Sequence, residues 1–173
     1  MVKCNNLPIL ITQKLTQKTL QGIKMKLIYL LLLLTASSIV NANTNESVIA
    51  SNKKLVVEFY QQVLLQGDAS VIDKYIGDVY IQHNPNLPNG KEALRGLINS
   101  FPVKKADDKP NGEIIRVIAE EDLVVLHVKN YSWPQPLGGA IIDIFRVENN
   151  KIVEHWDVVQ AIPKQSANSN TMF

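Results

Sequence analysis

The spacing of apolar positions along this chain changes character partway, and the change predicts the architecture. Leu55, Val56, Phe59, Tyr60 and Val63 fall on one stripe of a 3.6-residue repeat, separated by charged and amide residues. That spacing predicts an amphipathic helix capped by Ser51 or Asn52 and running to about Gln66, with Gly67 ending it. Asp68 is placed to cap a second, short helix lined by Val71, Ile72, Tyr75 and Ile76, which stops at Gly77. Tyr80-Ile81-Gln82-His83 reads as a short extended piece entering Asn84–Gly90, a stretch of turn residues. A third helix follows over residues 91–101, with Leu94, Leu97, Ile98 and Phe101 on one face and Pro102 as its stop. Residues 103–111 form a charged loop.

Beyond this loop the period drops to two. Alternation predicts strands at Glu113–Glu120, Leu123–Tyr131, Gly139–Glu148 and Lys151–Gln160. The connections are Glu121-Asp122, a loop containing Pro134, Pro136 and Gly138, and Asn149-Asn150. Connections this short imply antiparallel neighbours, hence a meander. Helices first and a curved antiparallel sheet after define an α+β domain, in which the helices cover one sheet face and close a pocket.

The N-terminal pattern belongs to neither period. Lys24 and Lys26 precede an apolar run from Leu27 to Val40, and Val40-Asn41-Ala42 closes it. This is the layout of a secretory signal peptide cleaved after Ala42, and the run falls short of the roughly 20 residues that span a bilayer. Residues 1–24 resemble no domain, and Met25-Lys26 makes an ordinary signal-peptide start; residues 1–24 are therefore expected to be an upstream extension. The expected organisation is a signal peptide at 25–42, a flexible leader at 43–51, a domain at 52–162 and a flexible tail at 163–173. Export to the periplasm or the medium follows, with no membrane attachment after cleavage.

Processing changes the charge. The full chain carries +2, but residues 1–42 hold five lysines and no acid, leaving 13 basic against 16 acidic residues, a net −3. No basic stripe remains to bind nucleic acid. The single cysteine, Cys4, lies in the discarded part, which excludes disulfides, thiolate catalysis and cysteine-ligated zinc from the mature protein.

Candidate chemistry concentrates in Glu154-His155-Trp156-Asp157-Val158, where a histidine, an indole and a carboxylate enter an apolar strand. Burying such groups costs several kcal/mol unless they are paired or used. His155 and Asp157 share one strand face and Trp156 takes the other. The alternatives for Asp157 are a pocket wall, where apolar surroundings make it a general acid or base, and the outer sheet face. Asp143 shares its face with Ile141 and Phe145, so it is either a pocket group or a partner of Arg146 or Arg116. Cooperation between the two carboxylates depends on one turn. A two-residue Asn149-Asn150 turn sets Asp143 opposite Trp156; a three-residue loop with a bulge sets it opposite His155, on the face of Asp157. His83 stands at a strand-to-loop junction, either as a proton-transfer group or as a brace for the Asn84–Gly90 loop. His127 is read as a pocket group or a half-exposed sheet residue. A metal reading, two histidines and a carboxylate as in non-haem iron sites, has only the His155-x-Asp157 spacing behind it. Gly138-Gly139 precedes a strand rather than a helix, so it cradles no phosphate.

The element order, with His83-Asn84-Pro85, Asp143-Ile144-Phe145-Arg146-Val147 and Glu154-His155-Trp156-Asp157-Val158, resembles the SnoaL-like polyketide cyclase family of the nuclear transport factor 2-like superfamily. The resemblance covers residues 52–162 and implies a conical α+β barrel with a deep apolar pocket, an acid/base carboxylate in it, no cofactor, and a homodimer. It implies either of two functions. One is a cofactor-free cyclase, isomerase or dehydratase for a small apolar carbonyl compound. There Asp157 or Asp143 serves as base, His83 or His127 as hydrogen-bond donor, and Trp156, Phe145 and His155 contact the ligand. The other is a secreted binding or dimerisation module of the same fold.

Overall fold

The computed structural model describes residues 45–102, 104 and 107–173. The upstream extension, the signal segment and the cleavage point after Ala42 lie outside the described residues. Residues 46–173 form one compact unit.

Helix α1 includes residues 45–59 and runs on as a π-helical stretch, Tyr60–Leu65. Residues 45–50 are therefore helical rather than a flexible leader, and Ser51 and Asn52 lie inside the helix rather than at its cap. The Asn52 side chain instead reaches the Glu121 carbonyl at the β2–β3 turn, at 3.4 Å. Leu55, Val56, Phe59, Tyr60 and Val63 are all buried, as their stripe predicts. Gly67, at φ +79°, ends the helix in the left-handed region that glycine enters freely. Asp68 caps the following turn, accepting from the Ser70 amide at 2.9 Å. A 3₁₀ turn, Ala69–Val71, leads into α2, Ile72–Tyr75.

Strand β1, Ile76–Gln82, begins four residues earlier than the sequence suggests and absorbs Ile76 and Gly77 from the expected helix. Helix α3 is Lys91–Asn99; it buries Leu94 and Ile98 but leaves Phe101 beyond its end and half exposed. Strands β2 (Gly112–Glu120), β3 (Leu123–Asn130), β4 (Gly139–Glu148) and β5 (Lys151–Ala161) follow within a residue or two of expectation. They form the antiparallel meander, and β1 adds to it in parallel beside β5, giving the order β1-β5-β4-β3-β2.

Alternate residues of β3 and β4 point to the helices: Val124, Leu126 and Val128, with Ile141, Asp143, Phe145 and Val147. Phe145 meets Phe59 and Tyr60 of α1 edge-on, with ring centroids 5.7 and 6.2 Å away. Truncating either phenylalanine to alanine removes about 3–5 kcal/mol of burial and packing. The Gly138 turn into β4 needs glycine, at φ +86° with space for a Cβ only 2.0 Å from the Asn130 carbonyl oxygen. Among the described residues, no helix is long and apolar enough to cross a membrane.

Candidate active site

The β4–β5 hairpin decides which side chains meet. Its turn is the two-residue one: Glu148 pairs with Lys151, and Asn149 and Asn150 take φ of +51° and +59°, as a type I′ turn requires. The register then slips. Val147 pairs with Ile152 but Arg146 pairs with Glu154, so Val153 is an extra residue, a β-bulge within the strand. Asp143 consequently sits opposite Asp157, and His155 opposite Phe145. Neither register expected from sequence is realised: the turn has two residues, and the bulge lies inside β5 rather than at the turn.

Two carboxylates facing each other across a ladder repel unless donors intervene. Here every oxygen has one. Asp143 is 3 % exposed; His155 Nε2 lies 3.0 Å from its Oδ1, and the Tyr60 hydroxyl donates to its Oδ2 at 2.8 Å. Arg146 and Arg116, the alternative partners for Asp143, are engaged elsewhere, with Glu154 and Glu148 and with His127. Asn84 Nδ2 sits 2.9 and 2.7 Å from the two oxygens of half-buried Asp157. His155 stacks on Phe145, with centroids 4.6 Å apart, and its Nδ1 lies 3.0 Å from Gln82 Oε1. Among the described residues no buried side-chain nitrogen or oxygen lacks a partner.

The π-helical start places Tyr60 here, and the end of β1 supplies the rest. Gln82 pairs with His155 across the parallel ladder, and the His83 amide donates to the His155 carbonyl at 2.9 Å. Burial is the main reason the Tyr60 phenol stays protonated far above its ordinary range, with the Asp143 charge and hydrogen bond and the Asp157 charge adding to it. Buried Tyr80 is held up likewise, first by desolvation and then by Asp143 and Asp157. Both are hydrogen-bond donors at any physiological pH.

Asp143, His155 and Asp157 each offer a donor atom within 4.8 Å of the others, close enough to converge on a cation. Their oxygens and nitrogens are already hydrogen-bonded, however, so a metal would first have to break the Asp143–His155 contact.

The remaining candidates lie on the outer sheet face. His83 stacks on Trp156 at 4.6 Å and 6° and pairs with Glu154 at 2.8 Å, and Glu154 in turn holds Arg146 at 2.7 Å. The His83 hydrogen bond and then the Arg146 guanidinium hold the Glu154 carboxyl below its ordinary range. His127 pairs with Ile142, accepts from Arg116 at 2.8 Å and stacks on Phe173 at 5.6 Å. The expectation that His127 faces a pocket is thus corrected: alternation along β3 gives the inner face to Val124, Leu126 and Val128. Trp156 and His83 likewise stand away from the carboxylates, whereas Phe145 and His155 lie against them.

Sequence reasoning missed Tyr60, Tyr80, Gln82 and Asn84. A phenol in an apolar stripe carries a hydroxyl that needs a buried partner, and that signal singles out Tyr60 and Tyr80. Nothing local marks Gln82, and Asn84 stands out only as part of the His83-Asn84-Pro85 motif, with no role attached.

This two-layer fold is that of the nuclear transport factor 2-like proteins. The SnoaL-like polyketide cyclase model matches residues 54–165, and the chain belongs to that family. No curated protein matches the chain. Among solved structures it resembles a nuclear transport factor 2-like protein of unknown function from Burkholderia xenovorans LB400, at 16% identity and TM-score 0.54, covering 69% of this chain and 91% of that one. A protein from Kribbella flavida, provisionally named a ketosteroid isomerase, is similar at 10% identity and TM-score 0.54, covering 69% and 85%. Another from Bacillus cereus, provisionally named a polyketide cyclase, is similar at 20% identity and TM-score 0.50, covering 63% and 74%. At these identities the likeness is one of fold.

Proposed function

We propose that this protein is a cofactor-free acid/base enzyme acting on a small, uncharged carbonyl compound. The observation that carries the reading is the opposed Asp143–Asp157 pair, tied to His155 and flanked by two protonated phenols. Asp157 is the base. It is the half-buried member of the cluster, and the Asn84 amide nitrogen holds its two oxygens at 2.9 and 2.7 Å. Asp143, the fully buried member, orients Tyr60 and His155. Asp157 takes a proton from the carbon next to the carbonyl, and the Tyr80 phenol, whose hydroxyl is not committed to Asp143 as that of Tyr60 is, hydrogen-bonds the developing enolate oxygen. The enolate then attacks a second carbonyl whose oxygen takes the proton back from Asp157, is reprotonated by Asp157 at another carbon, or expels a β-hydroxyl that leaves as water with that proton; these are ring closure, isomerisation and dehydration. His83 and His127, named as donors from sequence, are replaced in this role by Tyr80.

The test is uptake of deuterium from D₂O next to the carbonyl across a panel of ketones. Asp157→Asn should slow it by about 10²–10⁴ while leaving the fold intact. Unchanged exchange in both Asp157→Asn and Asp143→Asn would overturn the reading.

A second proposal concerns assembly. The outer sheet face exposes Ile118, Ile142 and Val158 at 62%, 38% and 70%, and a second copy of this chain is the partner that such a face suits. Export is proposed as well, on the basic, apolar and small-residue order of residues 24–42.

A further inference from the structure

The end of β1 does more than brace a loop. Gln82 Oε1 receives two contacts: the Asn84 backbone N–H at 2.9 Å and His155 Nδ1 at 3.0 Å. A backbone N–H can only donate, so the atom it meets is the oxygen of the Gln82 amide, and the amide has one orientation. An amide oxygen only accepts. The nitrogen facing it, His155 Nδ1, therefore carries a proton.

We infer that Gln82 is a positioning residue that fixes the proton on His155 Nδ1 and so makes Asp143 and His155 a pair sharing a single proton. With Nδ1 occupied, the contact between His155 Nε2 and Asp143 Oδ1 at 3.0 Å needs one hydrogen. That hydrogen sits either on Nε2, giving imidazolium and carboxylate, or on Oδ1, giving imidazole and carboxylic acid. Both forms are neutral as a pair. Without Gln82 the ordinary arrangement, Nε2–H donating to the carboxylate with Nδ1 bare, would leave the pair with a net negative charge facing Asp157. The groups around the Asp143–His155 pair are Asp157 on β5, Tyr60 on the π-helical stretch of α1, which donates to Asp143, and Tyr80 and Gln82 on β1. Gln82 thereby leaves Asp157 as the source of the cluster's net negative charge. Its value to catalysis rests on the acid/base reading above; the proton assignment rests on hydrogen-bond geometry alone.

The experiment is ¹⁵N NMR of the full chain labelled at histidine, with His155 assigned by the signal lost in His155→Asn. At neutral pH the expected result is a protonated, pyrrole-type Nδ1. A bare, pyridine-type Nδ1 would overturn the inference. In Gln82→Leu, checked for folding by circular dichroism, the Nδ1 proton should be lost, and in Gln82→Glu, which keeps an acceptor, it should remain. Nδ1 still protonated in Gln82→Leu would assign Gln82 a merely structural role and overturn the inference. Should Gln82→Leu not fold, Gln82→Asn, which withdraws the carbonyl by one methylene, decides on the same criterion. No substrate enters the measurement, so it can fail while the exchange assay succeeds, and the reverse.

Discussion

At the scale of single residues, the cluster is held by matched donors and acceptors rather than by packing alone. Asp143 is the member on which two others depend. Asp143→Ala strands the Tyr60 hydroxyl and a His155 nitrogen in the core and should cost about 3–5 kcal/mol, read as a lower midpoint in urea unfolding. Tyr60→Phe removes one hydrogen bond to a carboxylate and should cost less, about 1.5–3 kcal/mol by the same measurement. On the outer face the sign of the pH dependence follows from Glu154. Its folded carboxyl lies below the ordinary value of 4.5, so its contribution to stability is complete above that pH and is lost as pH falls through the lower, folded value. Glu154→Gln should therefore flatten the acid limb of the stability profile while changing its slope little near neutrality. Equal steepness of the acid limb in both proteins would contradict this.

At the scale of elements, the β4–β5 hairpin carries most of the site. Its turn demands left-handed backbone at both asparagines. Asn150→Gly should stabilise modestly, because glycine takes φ near +59° without a Cβ penalty, whereas Asn150→Val should destabilise by about 1–2 kcal/mol. Thermal unfolding of the pair reads opposite signs. The individual strands were legible because two-residue alternation with short connections admits few other readings. Their register was not. A bulge at Val153 has no strong local signature, yet it turns Asp143 from a partner of Trp156 into a partner of Asp157. The start of β1 was misread for a related reason. Tyr75 and Ile76 suit a helix stripe and a strand equally, and the parallel pairing with β5 decides for the strand.

At the scale of the whole molecule, the exposed outer face and the N-terminal segment carry the remaining predictions. If the sheet face joins two copies, Val158→Asp with Ile142→Asp should convert a dimer to a monomer in sedimentation velocity, with the inner-face cluster undisturbed. If residues 25–42 direct export, the mature chain should begin at Asn43 by intact mass.

The helix stripes, the meander, the α+β class and the family resemblance are all readable from the amino-acid order, since each follows from the period of apolar residues, short connections or local motifs. It also marked Asp143, His155 and Asp157 as groups too polar for their strands. That these three meet, that Tyr60, Gln82 and Asn84 join them, and that His83, His127 and Trp156 face the other way emerges from the folded chain alone. The reason is that a side chain's face depends on register, and register here depends on one bulge and one parallel pairing between strands about 70 residues apart.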